Sequence, residues 1–217
     1  RAAEVLGERW TTLVIRELHC GSVRFNDLQR GLPRMSSSLL SRRLKELEDG
    51  GLVWKRQATS GRGFEYRLTE AGRALGPVLE HMGAWAQQWS RDDLTIDDNL
   101  DPDLLMWDIR RCVTHKGIPK DRRFVVGFQF PNMPPNRRAY WLLFTEGQVE
   151  LCYRDPGYDV DMLVIAHVKT LVEIWLGHKS IEKAADDETF RLEGDPKDVM
   201  AFRAWFTLSP TASFAAT

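Results

Sequence analysis

Residues 33–50 read Pro33-Arg-Met-Ser-Ser-Ser-Leu-Leu-Ser-Arg-Arg-Leu-Lys-Glu-Leu-Glu-Asp-Gly50, a serine triplet running into a leucine ladder that stops at Gly50-Gly51. Leu40, Leu44 and Leu47 fall at i, i+4 and i+7, so at ~100° per residue they form one buried stripe of a helix. Ser38, Ser41, Arg42 and Lys45 point the other way. Ser36 or Ser37 is expected to cap the first turn by accepting a hydrogen bond from an amide that has no partner within the helix. Capping leaves the rest of the polar side unexplained, and a solvated face is the ordinary account of such a surface. The neighbouring elements decide between that account and recognition.

Upstream, Ala2 to Leu6 reads as a short helix ending at Gly7, and Trp10, Leu13, Val14 and Leu18 recur at helical spacing up to Cys20-Gly21. Phe25, Leu28 and Leu32 give a third helix that Gly31-Leu32-Pro33 ends, because proline cannot continue the hydrogen-bond ladder. Downstream, Leu52 to Gln57 and Phe64 to Leu68 alternate as a hairpin whose glycine-rich tip, Ala58 to Gly63, carries Arg62. From Thr69 a long helix is expected through Ser90, with Leu75, Val78, Leu79, Met82, Trp85 and Trp89 as its stripe.

Three helices, a tight turn, a fourth helix, a two-stranded wing and a long helix make a winged helix-turn-helix. The second helix of such a unit fits the ~12 Å major groove, and a basic wing tip reaches the adjoining backbone or minor groove. In that frame Ser36, Ser37, Ser38, Ser41, Arg42, Arg43, Lys45 and Arg62 are the candidate DNA-binding residues. Arg43 keeps a second reading, as an i+3 partner of Glu46 on the helix surface.

Several motifs together resemble the HxlR-type regulators within the MarR-like winged-helix group of prokaryotic transcription factors. They are Arg1-Ala-Ala-Glu-Val-Leu-Gly-Glu-Arg-Trp10, Leu13-Val-Ile-Arg-Glu-Leu18, Arg24-Phe-Asn-Asp-Leu28, Leu39 to Leu52, and Tyr66-Arg-Leu-Thr-Glu-Ala-Gly72. The resemblance spans nearly all of residues 1–90. It implies a homodimer built from Ala2–Leu6 and Leu75–Trp89, bound to a pseudo-palindromic operator in double-stranded DNA. Family members often carry a basic residue where this chain has Ser38, with the charge here moved to Arg42 and Arg43.

The whole chain is consistent with two domains. It has 217 residues, 43% of them hydrophobic and 28% charged, near the averages of globular proteins. Residues 1–90 carry 14 Lys or Arg against 10 Asp or Glu, and the remainder 16 against 21, so a basic half precedes an acidic one. That asymmetry favours an anionic partner for the first half. Three cysteines without a CxxC suit a reducing, cytoplasmic setting. No apolar run approaches the ~20 residues needed to span a bilayer, so membrane insertion is not expected. The chain opens at Arg1 inside an apparent helix, so native sequence is expected upstream.

Beyond an acidic linker at 91–100, residues 101–217 are expected to form an α+β domain with an antiparallel-rich sheet and packed helices. Asp103 to Cys112 is an amphipathic helix; Arg123–Phe130, Ala139–Phe144, Val149–Tyr153 and Met162–Ile165 are strands; Val168–Leu176, Ser180–Ala185 and Lys197–Phe206 are helices, with Phe190–Gly194 a last strand. The order Val149-Glu-Leu-Cys, Asp155-Pro-Gly, Val168 to Leu176-Gly, Arg191-Leu-Glu-Gly-Asp195 and Trp205 resembles sterol carrier protein-like domains. That resemblance implies an apolar tunnel between sheet and helices for a hydrophobic small-molecule effector. Trp107, Phe128, Trp141, Phe144, Trp175 and Trp205 are the candidate pocket residues, although aromatic residues so spaced more often form plain core.

His115, His167 and His178 match no metal-ligand spacing, so no metal or other cofactor is expected. Asp155, Asp159 and Asp161 lack an accompanying nucleophile and read as a solvated turn rather than a catalytic group. The expectation is therefore a ligand-responsive DNA-binding regulator rather than an enzyme. The alternative is a carrier of hydrophobic ligands that uses its winged helix for dimerisation or protein contacts.

Overall fold

The computed structural model describes residues 2–59, 61–96 and 99–215. Arg1, Ser60 and the linker residues Asp97 and Asp98 lie outside them. Two compact units divide the chain, Arg1–Gly83 and Ala84–Thr217.

In the first unit, α1 (Ala2–Leu6), α2 (Thr11–His19), α3 (Phe25–Gly31) and α4 (Ser37–Asp49) precede β1 (Val53–Gln57) and β2 (Phe64–Leu68), with α5 (Glu70–Arg73) and the start of α6 (Gly76–Trp89) behind them. Leu40, Leu44 and Leu47 are 0–3% exposed and pack with Val14, Ile15, Leu28 and Met35. Burying each such side chain stabilises the unit by ~1.5–3 kcal/mol, so the leucine ladder is what fixes the face α4 turns outward. The turn before α4 is held by Gln29, whose Nε2 donates to the carbonyls of Leu32 at 3.2 Å and Met35 at 2.6 Å.

Glu17 on α2 is fully buried, and its carboxylate accepts from Ser22 Oγ at 3.2 Å and Arg16 Nη1 at 3.1 Å. The last residue of α3 is Gly31 because a Cβ there would stand 1.9 Å from Glu17 Oε2. A buried carboxylate thus sits directly beneath the turn that leads into α4. Neither its burial nor its link to Gly31 was legible in the sequence.

The long helix expected from Thr69 is instead two helices, broken at Ala74-Leu75. Thr69 caps α5 through the Gly72 amide, at 3.1 Å, and its own hydroxyl donates to the Gly51 carbonyl at 2.7 Å. Pro77, without an N–H, fits only the first turn of a helix, so α6 restarts there. The expected stripe splits accordingly: Leu75 and Leu79 join the core of the first unit, while Val78, Met82, Trp85 and Trp89 are exposed.

The boundary between the units falls within α6 rather than at 91–100. The last turns of α6 are tied into the second unit by Gln87, 3% exposed, which donates to the Leu176 carbonyl at 3.4 Å and to Thr211 Oγ1 at 3.2 Å. His178 Nε2 completes the group at 2.5 Å from Gln87 Oε1, and burial beside Arg91 lowers the His178 pKa below its ordinary value.

The second unit contains α7 (Pro102–Cys112), β3 (Phe124–Gln129), β4 (Ala139–Thr145), β5 (Gln148–Cys152), β6 (Met162–Ala166), α8 (Val168–Trp175), α9 (Ile181–Asp186), β7 (Phe190–Gly194) and α10 (Pro196–Trp205). Its sheet runs β5-β4-β3-β6-β7, antiparallel except for the parallel pair β3–β6. The parallel pair was not foreseen: the β4–β5 hairpin occupies one side of β3, so the returning chain adds to the other. Asp161 pins that return, its amide donating to the Val125 carbonyl at 2.9 Å and its carboxylate accepting from the Val125 amide at 2.8 Å.

Alternation along the strands sorts the two sheet faces. Phe124, Val126 and Phe128 of β3, with Tyr140, Leu142 and Phe144 of β4 and Met162, Val164 and Ala166 of β6, form one core with side chains from α7, α8, α9 and α10. Gly127, Trp141, Leu163 and Glu193 stand in register on the opposite face. Among the described residues no helix is long and apolar enough to cross a membrane.

Candidate nucleic-acid interface

The frame set by the leucine ladder puts Ser36, Ser37, Ser38, Ser41, Arg42 and Lys45 on the exposed side of α4 and its entry. Ser36 is the cap: its Oγ accepts the Leu39 amide at 3.3 Å and lies 3.2 Å from Ser38 Oγ. Ser37 begins the helix proper. The short serine side chains keep this end of α4 slim, so that a groove wall can approach the helix closely. Arg42 leans toward Glu46 at 3.7 Å with both side chains about half exposed or more, a pair worth only a few tenths of a kcal/mol.

Arg43 departs from the expectation of a DNA contact. It is 8% exposed and its guanidinium is held by Glu46 and by Glu8, each at 2.5 Å. Burial works against the charge, but the two carboxylates outweigh it and raise the Arg43 pKa above its ordinary value. The reason is angular: Arg43 lies one turn from Leu40 and Leu47, on the flank of the buried stripe. Its i+3 pairing with Glu46 is the reading that the structure carries, and Glu8 was unforeseen. Arg43→Ala is expected to cost the first unit about 1–2 kcal/mol, discounted because both acids remain half exposed. Thermal unfolding with and without the substitution measures this, while the salt dependence of DNA binding should not change.

The wing is a built platform. Five register pairs join β1 to β2, and the Tyr66 amide donates to the Val23 carbonyl at 2.8 Å, tying the wing to the entry of α3. At the tip, Gly61 and Gly63 take φ of +75° and +74°, left-handed values that residues with a Cβ rarely adopt. They present Arg62 between them, exposed, with its backbone carbonyl held by Arg24 Nη1 at 3.0 Å. Arg62 is thus aimed from an anchored loop.

Further cations on the wing were missed in the sequence. Arg56 and Arg67 meet Glu65 at 2.9 and 3.4 Å, with Arg24 at 3.8 Å, so one 7%-exposed carboxylate organises three guanidiniums. The Arg56 hydrogen bond, despite burial, holds the Glu65 carboxyl below its usual range. Lys55 lies 4.0 Å over the Phe64 ring. The strand alternation and the run Trp54-Lys-Arg were visible, but their convergence on Glu65 depends on cross-strand register, which no spacing along one strand reveals.

The candidate pocket residues of the second unit separate into three groups. Phe128, Phe144, Trp175 and Trp205 belong to the one core, Trp107 is buried but outside it, and Trp141 lies on the other sheet face. Within the core, Trp205 sits edge-on to Phe144 and Phe202, with ring centres 5.4 and 5.0 Å away. Among the described residues the indole nitrogens of Trp175 and Trp205 find no hydrogen-bond partner, although both are buried. Among the described residues no cluster of three or more His, Cys, Asp or Glu is placed to hold a metal ion.

The family model described as HxlR-like helix-turn-helix matches residues 5–93. The uncharacterized HTH-type transcriptional regulator YvaP of Bacillus subtilis is 42% identical over 92 residues, 41% of this chain and 83% of that protein. The HTH-type transcriptional regulator YodB of the same organism is 38% identical over 97 residues, 44% of this chain and 86% of YodB. The solved reduced form of YodB aligns at 37% identity over 42% of this chain and 90% of that one, with a TM-score of 0.38.

Proposed function

The chain belongs to the HxlR-like helix-turn-helix family, and from that membership we propose that it is a DNA-binding transcription regulator acting as a homodimer in the cytoplasm. The observation that carries the proposal is the division of α4 by angle: leucines inward, Ser38, Ser41, Arg42 and Lys45 outward, with Arg62 held on an anchored wing. Two copies of α4 would enter successive major grooves about 34–36 Å apart, with the wings on the flanks. The serines contribute little affinity; Arg42, Lys45 and Arg62 supply charge to phosphates or base edges.

Dimerisation is supported by α6, where Val78, Met82, Trp85 and Trp89 recur at helical spacing while 42–69% exposed. Isolated exposed apolar residues are ordinary, but four on one helical face suit a second copy. The second unit, which resembles sterol carrier protein-like domains, would sense a hydrophobic molecule held between sheet and helices. The unpaired indole nitrogens of Trp175 and Trp205 support this, because a buried N–H normally finds an acceptor and a carbonyl-bearing apolar guest would provide one.

Selection of genomic fragments bound by the full chain tests the reading. It predicts an enriched inverted repeat whose half-sites lie one helical turn, ~10–10.5 base pairs, or a multiple of it apart. Absence of any sequence-selective binding at low salt, together with a lipid found in the purified protein by mass spectrometry, would favour the carrier instead.

A further inference from the structure

The face of the second unit's sheet opposite its core holds a groove of about 440 Å³, within the size range of small-molecule sites. Its floor is made by a missing side chain. Gly127 pairs with Trp141 on one side and Leu163 on the other, and a Cβ added there would lie 2.9 Å from Leu163 Cδ1, 3.3 Å from Val160 Cγ1 and 3.8 Å from Trp141 Nε1. Those three side chains therefore close down onto the bare backbone of β3 and form the floor of the groove.

The charged side chains that line this space are carboxylates, Asp155, Asp161 and Glu193; among the described residues no lysine or arginine lines it, and Arg122 and Arg191 meet Asp161 and Glu193 from outside the lining. Asp161 is committed to the Val125 amide and to Arg122 at 2.5 Å. Among the described residues Asp155 accepts only a local turn contact from the Gly157 amide at 2.8 Å, and Glu193, its side chain 49% exposed, meets the still more exposed Arg191 at 2.7 Å. Asp155 and Glu193 thus keep carboxylate oxygens available to a guest.

An apolar, indole-walled floor under a carboxylate rim is complementary to a bulky organic cation with an aromatic body. The rim would supply the counter-charge and Trp141 a ring surface attractive to cations. We propose that this groove is a binding site for lipophilic organic cations. A neutral lipid would gain nothing from the rim, and an organic anion would be repelled by it. The site is distinct from the DNA-reading face of α4 and from the core-held guest proposed above, so failure of either leaves it standing, and its failure leaves them standing.

The test uses the full chain and two probes of nearly equal shape and opposite charge, tetraphenylphosphonium and tetraphenylborate, by equilibrium dialysis. The phosphonium should bind at least tenfold more tightly than the borate, and more weakly as salt is raised. Gly127→Ala, which lifts the floor by asking the end of Leu163 to move and Val160 Cγ1 to give by a few tenths of an ångström, should weaken the phosphonium at least fivefold. The pair Asp155→Asn and Glu193→Gln keeps an oxygen for the Gly157 amide and for Arg191, and should weaken it similarly while leaving the borate unaffected or tighter. Thermal unfolding of each variant checks that the fold survives. Equal binding of both ions, no binding of the phosphonium, or phosphonium affinity unchanged by both Gly127→Ala and the carboxylate pair would overturn the assignment.

Discussion

Replacing Arg42 and Arg62 together with alanine is expected to lower operator affinity by on the order of 100-fold near 0.15 M salt, with a log–log salt slope shallower by about 2–4. The size follows from counting. The proposed dimer would lose four guanidiniums, each phosphate contact contributes ~0.9 to the slope, and contacts to base edges contribute less. The free protein should hardly notice the change, because among the described residues Arg42 has only the loose Glu46 pair and the Arg24 bond to residue 62 uses its backbone carbonyl. Anisotropy titrations of a labelled operator across a salt series, with circular dichroism as the folding control, measure both quantities. An unchanged slope would remove these residues from the interface. The contrast with Arg43→Ala matters: one substitution should act on DNA and leave stability alone, the other the reverse.

Trp205→Ala should cost the second unit about 3–5 kcal/mol, the range for deleting a fully buried large aromatic side chain. Trp205 is 0% exposed and packs against rings on β4 and on its own helix, and its backbone carbonyl takes the Thr114 amide at 2.9 Å, tying α10 to the end of α7. Trp205→Phe is expected to cost under about 2 kcal/mol, because it keeps much of the ring contact and removes an N–H that has no acceptor. Denaturant unfolding of the full chain, read by hydrogen exchange on β4 and α10, separates this unit from the winged one. A loss below about 1 kcal/mol for the alanine variant would mean that the site is loosely filled. If a guest does accept from that indole, the phenylalanine variant should lose it while staying folded.

The first unit was legible because its signals are local. Leucine spacing, Pro33, the glycine-rich tip and Thr69 each act within a turn or two of chain, and the motifs from Leu13 to Gly72 reinforce one another. What escaped depended on partners distant in sequence. Arg43 meets Glu8 across 35 positions, Glu65 gathers Arg24, and Gln87 is buried against residues near 176 and 211. In the second unit the strands announced themselves by composition, but their lateral order did not, since an alternating strand pairs equally well on either edge. The groove over Gly127 was invisible for the same reason: its walls come from β4, β6 and the segment before β6, brought together only by register.

The buried contact between Glu17 and Gly31 makes two positions a single heritable unit. In any library of variants, a side chain at 31 should survive only where 17 has become small, and a shortened residue at 17 would leave a void that a side chain at 31 could fill. Fourteen positions apart and on different helices, the two should be retained or exchanged together, and that pairing would report on the integrity of the turn above them without any measurement of DNA.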